Sequence, residues 1–202
     1  MKKIILASNN QGKIKEFNAM LSSIYQVVSM QDMQVAEVPE TGLTFVENAL
    51  IKARNASEQS GLPVLADDSG IVIDALGGGS PGIYSARYAN CHRDDEANTQ
   101  KVLTDMKDVP EGERTGRFWC AIVFIKHEND PTPVIIQRSW EGEILRERMG
   151  DNGFGYDPIF YLPTRNCTSA ELSSVEKNKI SHRGRALSAL LKTLKKNQWV
   201  AH

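Results

Sequence analysis

The chain has 202 residues, 41% of them apolar, and its 24 Lys and Arg stand against 25 Asp and Glu for a formal net charge of −1. That length supports one well-buried core, so a single domain over residues 1–202, with two lobes allowed for, is expected. A near-zero balance excludes a general polyanion-binding field and with it a nucleic-acid polymer as partner, so any phosphate site must be local.

The three cysteines, Cys91, Cys120 and Cys167, lack metal-ligand spacing, and their odd number argues against a disulfide framework. No apolar run approaches membrane-spanning length, and no signal-peptide core follows the first lysines. A soluble cytoplasmic protein without a membrane partner is the expectation.

In chain order, a first strand over Lys3 to Ala7 runs into Ser8-Asn9-Asn10-Gln11-Gly12-Lys13, and an amphipathic helix follows to about Leu21, with Ile14, Phe17 and Leu21 on one face. A strand, a polar turn and a helix N-terminus together present backbone N–H groups to an anion. Lys13 in the first turn opposes the helix dipole, a conflict that a bound phosphate would remove. The turn is not a Walker A loop, because it has one glycine and Ile14 follows the lysine. An ordinary solvated turn is the alternative.

A short strand over Tyr25 to Ser29 precedes a loop carrying Glu37, Glu40 and Gly42. Thr44 and Glu47 then form a capping box. The helix it opens is expected to reach about Ser57, burying Phe45, Ala49, Ala53 and Ala56. Lys52 falls at the margin of that stripe, where snorkelling past the core is the simple explanation.

Pro63 to Gly78 reads as an apolar run, two adjacent acids, a Ser69-Gly70 break, and a second apolar run carrying Asp74. Acids at strand ends are too costly for a core unless solvated or paired with a positive group. The partner expected here is a divalent metal bearing a triphosphate. Asp67 and Asp68 are adjacent in extended chain and should face opposite ways. Asp68 is then the acid placed toward substrate, and Asp67 is left to hold a lysine or a backbone turn.

Gly77 to Tyr88 is a constrained glycine-rich loop, in which Arg87 is either a phosphate contact or a packed surface arginine. Asp94 or Asp95 caps a helix to about Met106 with Val102, Leu103 and Met106 inward, and Lys107 to Arg114 is a charged loop. Arg117–Ile125 and Pro133–Trp140 form a long hairpin around His127–Thr132, with Trp119 and Trp140 as core. Phe154, between Gly153 and Gly155, is either an exposed aromatic platform for a base or part of a hairpin corner. Glu176 to Gly184 is a polar cluster before a final helix capped by Ser181, with Ala186, Leu187, Leu190, Leu191 and Leu194 inward.

Six of these segments together resemble the inosine triphosphate pyrophosphatase family. They are Ser8–Lys13, Glu40–Ala49, Ala66–Gly70, Gly82–Tyr88, Gly153–Pro158 and Ser181–Gly184, in order over nearly the whole chain. The extra glycine of Gly77-Gly78-Gly79 and the stretch Asn90-Cys91-His92 depart from the pattern away from those positions. The resemblance implies an α/β fold, a long twisted mixed sheet with helices forming two lobes around a nucleotide-binding groove. It implies hydrolysis of ITP, dITP and XTP to monophosphate and pyrophosphate, with Mg2+, by a cytoplasmic homodimer.

The resemblance also implies residue roles. Ser8, Asn9, Asn10, Gln11, Gly12 and Lys13 would hold phosphates, Lys13 and Lys52 acting as point charges. Glu40 and Asp68 would serve the metal, and Asp68 would also activate water. Ser69, Phe154, Gly155, Tyr156, Asp157, Lys177, His182 and Arg183 would bind substrate. In that arrangement Phe154 stacks on the base, and Lys177, His182 or Arg183 donates to the 6-oxo group. A pyrophosphatase of other modified triphosphates, or a nucleotide-binding module without catalysis, is the rival reading.

Overall fold

The computed structural model describes residues 2–90 and 94–196; Cys91 and His92 lie outside the described residues. Seven strands form one mixed sheet in the order β2-β1-β3-β4-β5-β6-β7. They are β1 (Lys2–Leu6), β2 (Tyr25–Ser29), β3 (Val64–Ile73), β4 (Thr115–Ile125), β5 (Val134–Ile144), β6 (Phe160–Leu162) and β7 (Cys167–Thr168). The helices are α1 (Gln11–Leu21), α2 (Phe45–Ser60), α3 (Asp95–Asp105), α4 (Ser174–Ile180) and α5 (His182–Lys196). β1 pairs in parallel with β2 and β3, whereas β5–β6 and β6–β7 are antiparallel. Among the described residues no helix is long and apolar enough to cross a membrane.

The chain packs as two compact units. The first comprises Met1–Asp68, Cys120–Arg138 and Arg185–His202; the second comprises Ser69–Trp119 and Ser139–Gly184. The first unit has two apolar layers, sorted by strand alternation. Leu65 packs with Phe17 and Leu21 of α1 and with Ala186, Leu187, Leu190 and Leu194 of α5. Val64 and Ala66 pack instead with Ala49, Ala53 and Ala56 of α2. Successive side chains of a strand take opposite faces, so odd positions of β3 meet α1 and α5 while even positions meet α2. The second unit is built on Ile71, Ile73, Phe118, Trp140 and Phe160, against Val102 of α3 and Met106 at its C-cap.

Local chemistry explains most element ends. Asn10 caps α1, and the Thr44–Glu47 capping box opens α2, which closes on left-handed Gly61. Asp94 caps α3. α2 runs three residues beyond the expected Ser57, because no breaker intervenes before Gly61, and Phe45 at its first turn is only half-buried.

Four expectations need correcting. β3 does not break at Ser69-Gly70 but continues through it. A Cβ at residue 70 would lie 2.4 Å from both the Gly82 carbonyl oxygen and Ser85 Oγ, so the glycine serves a close approach rather than a turn. The glycine-rich segment contains two 3-10 turns, Asp74–Leu76 and Gly82–Arg87, and Arg87 lies over the Tyr84 ring. Arg114, expected in a charged loop, is buried; it donates to the carbonyls of Met106, Val109, Ile144 and Leu145. Glu176 to Ile180, expected only as a polar cluster before the last helix, lies within a helix of its own, α4, opened by a Ser173–Glu176 capping box, and Ser181 bridges directly into α5. Trp140 is core as expected, whereas Trp119 is half-buried.

Candidate active site

The turn after β1 is shaped by its own side chains. The Asn10 backbone N–H donates to Ser8 Oγ (3.2 Å), and Asn10 Oδ1 accepts the Lys13 N–H (3.0 Å), taking up one of the amides that a helix start leaves unbonded. Asn9 Nδ2 donates to Glu37 Oε1 at 2.7 Å, fastening the turn to the loop before α2. The register Leu6↔Leu65 ends β1 two residues short of the level of Asp67 on the neighbouring parallel strand, and the Ser8 N–H turns back onto the Leu6 carbonyl. Gln11 is exposed, and Gly12 and Lys13 are half-buried at the helix start. Turns at the C-terminal ends of parallel strands are where α/β sheets place their ligands.

Strand alternation separates the adjacent acids. Asp67 falls on the α1 face and meets Lys13 Nζ at 2.9 Å, with its carboxylate fully buried. Asp68 falls on the α2 face, where Lys52 Nζ lies 3.1 Å from its Oδ1 and 2.8 Å from Glu40 Oε1. The other oxygen, Oδ2, accepts from Asn48 Nδ2 at 3.2 Å. The two acids do not form a dyad; each has its own lysine.

Burial pushes the Asp68 carboxyl above its ordinary value, and Glu40 and Asp67 add repulsion; together they outweigh the opposing pull of Lys52 and Lys13. Burial works the other way on Lys52, but attraction from Asp68, Glu40 and Asp67 exceeds it and holds the ammonium firmly protonated. Both members of the pair thus move upward, Asp68 chiefly through burial and Lys52 through the carboxylates around it. With every group ionised, the five side chains Lys13, Lys52, Glu40, Asp67 and Asp68 sum to −1.

Carboxylate oxygens converging on one cation in a net-negative cluster are the donor chemistry that magnesium takes. It uses one or two carboxylates and fills its remaining positions with water and phosphate oxygens. Among the described residues no group of three or more His, Cys, Asp or Glu could hold a metal ion by itself. As a pair of carboxylates, Glu40 and Asp68 fit such an ion.

The second unit collects the remaining expected residues. Asp157 is buried and accepts from Lys177 Nζ (2.5 Å), Ser169 Oγ (2.7 Å) and the Phe154 N–H (2.9 Å). Gly153 stands at φ +80°, and a Cβ there would lie 2.0 Å from Asp157 Oδ2, so only glycine admits this closure. The closure sets Phe154 with Lys177 Nζ 4.9 Å and the Arg183 guanidinium carbon 5.7 Å from its ring centroid, both within cation–π range. Arg183 Nη2 also donates to Ser69 Oγ at 2.9 Å. The buried His182 imidazole stacks on Phe118 (4.9 Å, 10°) and lies near-parallel to Trp140 (6.3 Å, 21°). Tyr156 is buried and donates to the Ser85 carbonyl at 2.7 Å, while the Gly155 N–H donates to Asp95.

The structure thus gathers Ser8–Lys13, Glu40, Lys52 and Asp68 in one unit, and Ser69, Phe154–Asp157, Lys177, His182 and Arg183 in the other. Sequence reasoning passed over Asn48 and Ser169. Asn48 had left a signal: it is an amide beside an alanine stripe, four residues before Lys52, and hence on the same helix face.

A polar turn at the end of a parallel strand, carboxylates gathered on a cation, and an aromatic ring beside two cations are features of an α/β protein of the phosphate-handling class. The chain belongs to the Ham1 family, whose model matches residues 4–193. It is 53% identical over 201 residues to a dITP/XTP pyrophosphatase of Vibrio vulnificus, covering 99% of this chain and all of that one. It is 54% identical over 193 residues to a dITP/XTP pyrophosphatase of Haemophilus ducreyi, covering 95% and 98%. Among solved structures, a HAM1 protein from Coxiella burnetii superposes with a TM-score of 0.89 at 47% identity, over 97% of this chain and all of that one.

Proposed function

We propose that the protein is a nucleoside triphosphate pyrophosphatase that removes dITP and XTP, and with them ITP, releasing the monophosphate and pyrophosphate. The observation that carries this reading is Lys52 held between Glu40 and Asp68, beside the Lys13–Asp67 pair. It provides both positive charge for phosphates and carboxylates for a metal, and full-length identity to dITP/XTP pyrophosphatases supports the substrate class.

In the proposed reaction, water attacks the α-phosphorus, its proton passes toward the Asp68 carboxylate, and the bond to the β-phosphate oxygen breaks. Asp68 suits the task because burial raises its proton affinity, while Asn48 and Lys52 fix the orientation of its two oxygens. Lys13 and Lys52 neutralise the departing pyrophosphate, and the α1 N-terminus with Ser8 and Asn10 orients it. Magnesium, held by Glu40 and Asp68, would supply charge neutralisation on the phosphate oxygens. No covalent nucleophile is called for, since phosphoryl chemistry depends mainly on positioning and charge. Ser69, bonded to Arg183, is read as a substrate partner.

Phe154 is assigned to stacking on the base, and Arg183, His182 and Lys177 to selecting a 6-oxo purine. A 6-amino group in that position would leave buried donors unmet, at about 1–3 kcal/mol each. A homodimer working in the cytoplasm completes the proposal, and sedimentation of the purified chain checks the dimer. Incubation with dITP and Mg2+, scoring pyrophosphate against orthophosphate, tests the reaction. Orthophosphate as first product would overturn attack at the α-phosphorus.

A further inference from the structure

The reaction as described uses only one of the two contacts that Asn48 makes, the one to Asp68. Asn48 is fully buried, on a helix face otherwise lined by alanines. Its amide is used at both ends: Nδ2 donates to Asp68 Oδ2 at 3.2 Å, and Oδ1 accepts the Gly42 N–H at 2.8 Å. Gly42 lies two residues after Glu40, so one side chain ties the loop bearing the first proposed metal carboxylate to the strand bearing the second. The fit is tight. A Cβ on residue 42 would come within 2.8 Å of Asn48 Oδ1 and 2.6 Å of Glu47 Cβ.

From this geometry, and resting on the function proposed above, we infer that Asn48 is a positioning residue that sets the separation of Glu40 and Asp68 and so determines divalent-metal affinity. Its donor end fixes the rotation of the Asp68 carboxylate, leaving Oδ1 to the cation side, where Lys52 sits. Its acceptor end fixes the height of the Glu40–Gly42 loop over α2. An amide serves both ends because it carries a donor and an acceptor on one rigid plane. Aspartate would lose the donor, and alanine would lose both. Residues that orient metal ligands without touching the metal typically change affinity or activity about 10–100-fold when removed.

Asn48→Ala and Gly42→Ala test the inference from the two ends of the tether, and Gly42→Ala decides it if Asn48→Ala fails to fold. Mn2+ binding to the nucleotide-free protein is measured by electron paramagnetic resonance, and half-saturating Mg2+ is measured under dITP turnover. Both variants are expected to weaken Mn2+ binding and to raise half-saturating Mg2+ by about tenfold or more. At saturating Mg2+ the KM for dITP is expected to stay within about threefold of wild type, since neither substitution removes a phosphate or base contact. Wild-type Mn2+ binding in a folded variant overturns the inference, as does a kcat loss with an unchanged Mg2+ requirement. Failure of the wild-type protein itself to release pyrophosphate from dITP would overturn the proposed function instead, and Mn2+ binding would still judge Asn48.

Discussion

Asp157→Ala is expected to be among the most damaging single substitutions in the second unit. Asp157 is 2% exposed and Lys177 5% exposed, and their contact at 2.5 Å is accompanied by donors from Ser169 Oγ and the Phe154 N–H. Removing the carboxylate strands a buried ammonium away from its counter-charge, a change that costs about 3–5 kcal/mol in buried pairs. The two further donors are not added on top, because neighbouring contributions are not additive. At about 2–4 °C per kcal/mol for a chain of this size, the melting midpoint should fall by about 6–20 °C. Asp157→Ala with Lys177→Met removes both charges and should recover part of the loss, so a double-mutant cycle of these two substitutions by thermal denaturation gives the coupling directly. A single Asp157→Ala variant melting within about 2 °C of wild type would refute the reasoning, since no relaxed side chain could then be holding Lys177 as a buried cation.

Asp68→Asn should lower dITP turnover at saturating Mg2+ by about 10²–10⁴, read as pyrophosphate release, while the fold persists. Arg183→Ala should cost ITP turnover more than any residual ATP turnover, compared side by side; equal losses would point to a phosphate role instead. Gly184→Ala would place a Cβ 1.9 Å from the Asn178 carbonyl oxygen across the α4–α5 junction, and should destabilise by about 1–3 kcal/mol in a denaturant titration. For pH dependence, burial works to raise the Asp130 carboxyl, but N–H donors from Lys126 and Thr132 and the Thr132 hydroxyl outweigh it and hold its value below the ordinary one. A lowered folded value means the stabilisation is present above about pH 4 and lost as pH falls through the folded value. Thermal melts of wild type and Asp130→Asn should therefore differ at neutral pH and converge on acidification.

Periodicity and capping chemistry made much of the fold legible. Phe17 and Leu21, the alanines of α2 and the leucines of α5 are spaced for one helical face, and Thr44–Glu47 and Asp94 announce their helix starts in local side chains. What stayed hidden depended on distant partners. Ser69-Gly70 looked like a break because the approach of Gly82 and Ser85, which demands the glycine, is a tertiary event. Arg114 looked solvated because its acceptors are carbonyls from two separate segments, Met106 to Val109 and Ile144 to Leu145. In the candidate site, adjacency of Asp67 and Asp68 was enough to predict opposite faces, but not which lysine each would meet. Asn48 was passed over because an amide carries no charge to draw the eye and its two partners lie 6 and 20 residues away.

The division of labour along β3 also constrains how the chain can vary in length. Whether an acid meets α1 or α2 is set by odd or even position alone, so inserting or deleting one residue between Val64 and Asp67 would exchange the two addresses. Lys13 would then face Asp68, proposed above to activate water, and Lys52 would face Asp67, with the composition of the site unchanged. A two-residue change would preserve the faces and shift only the level along the strand. This segment should therefore tolerate substitution at Leu65 or Ala66 more readily than any change of one in its count, and a screen of single-codon deletions across it should recover no active variants.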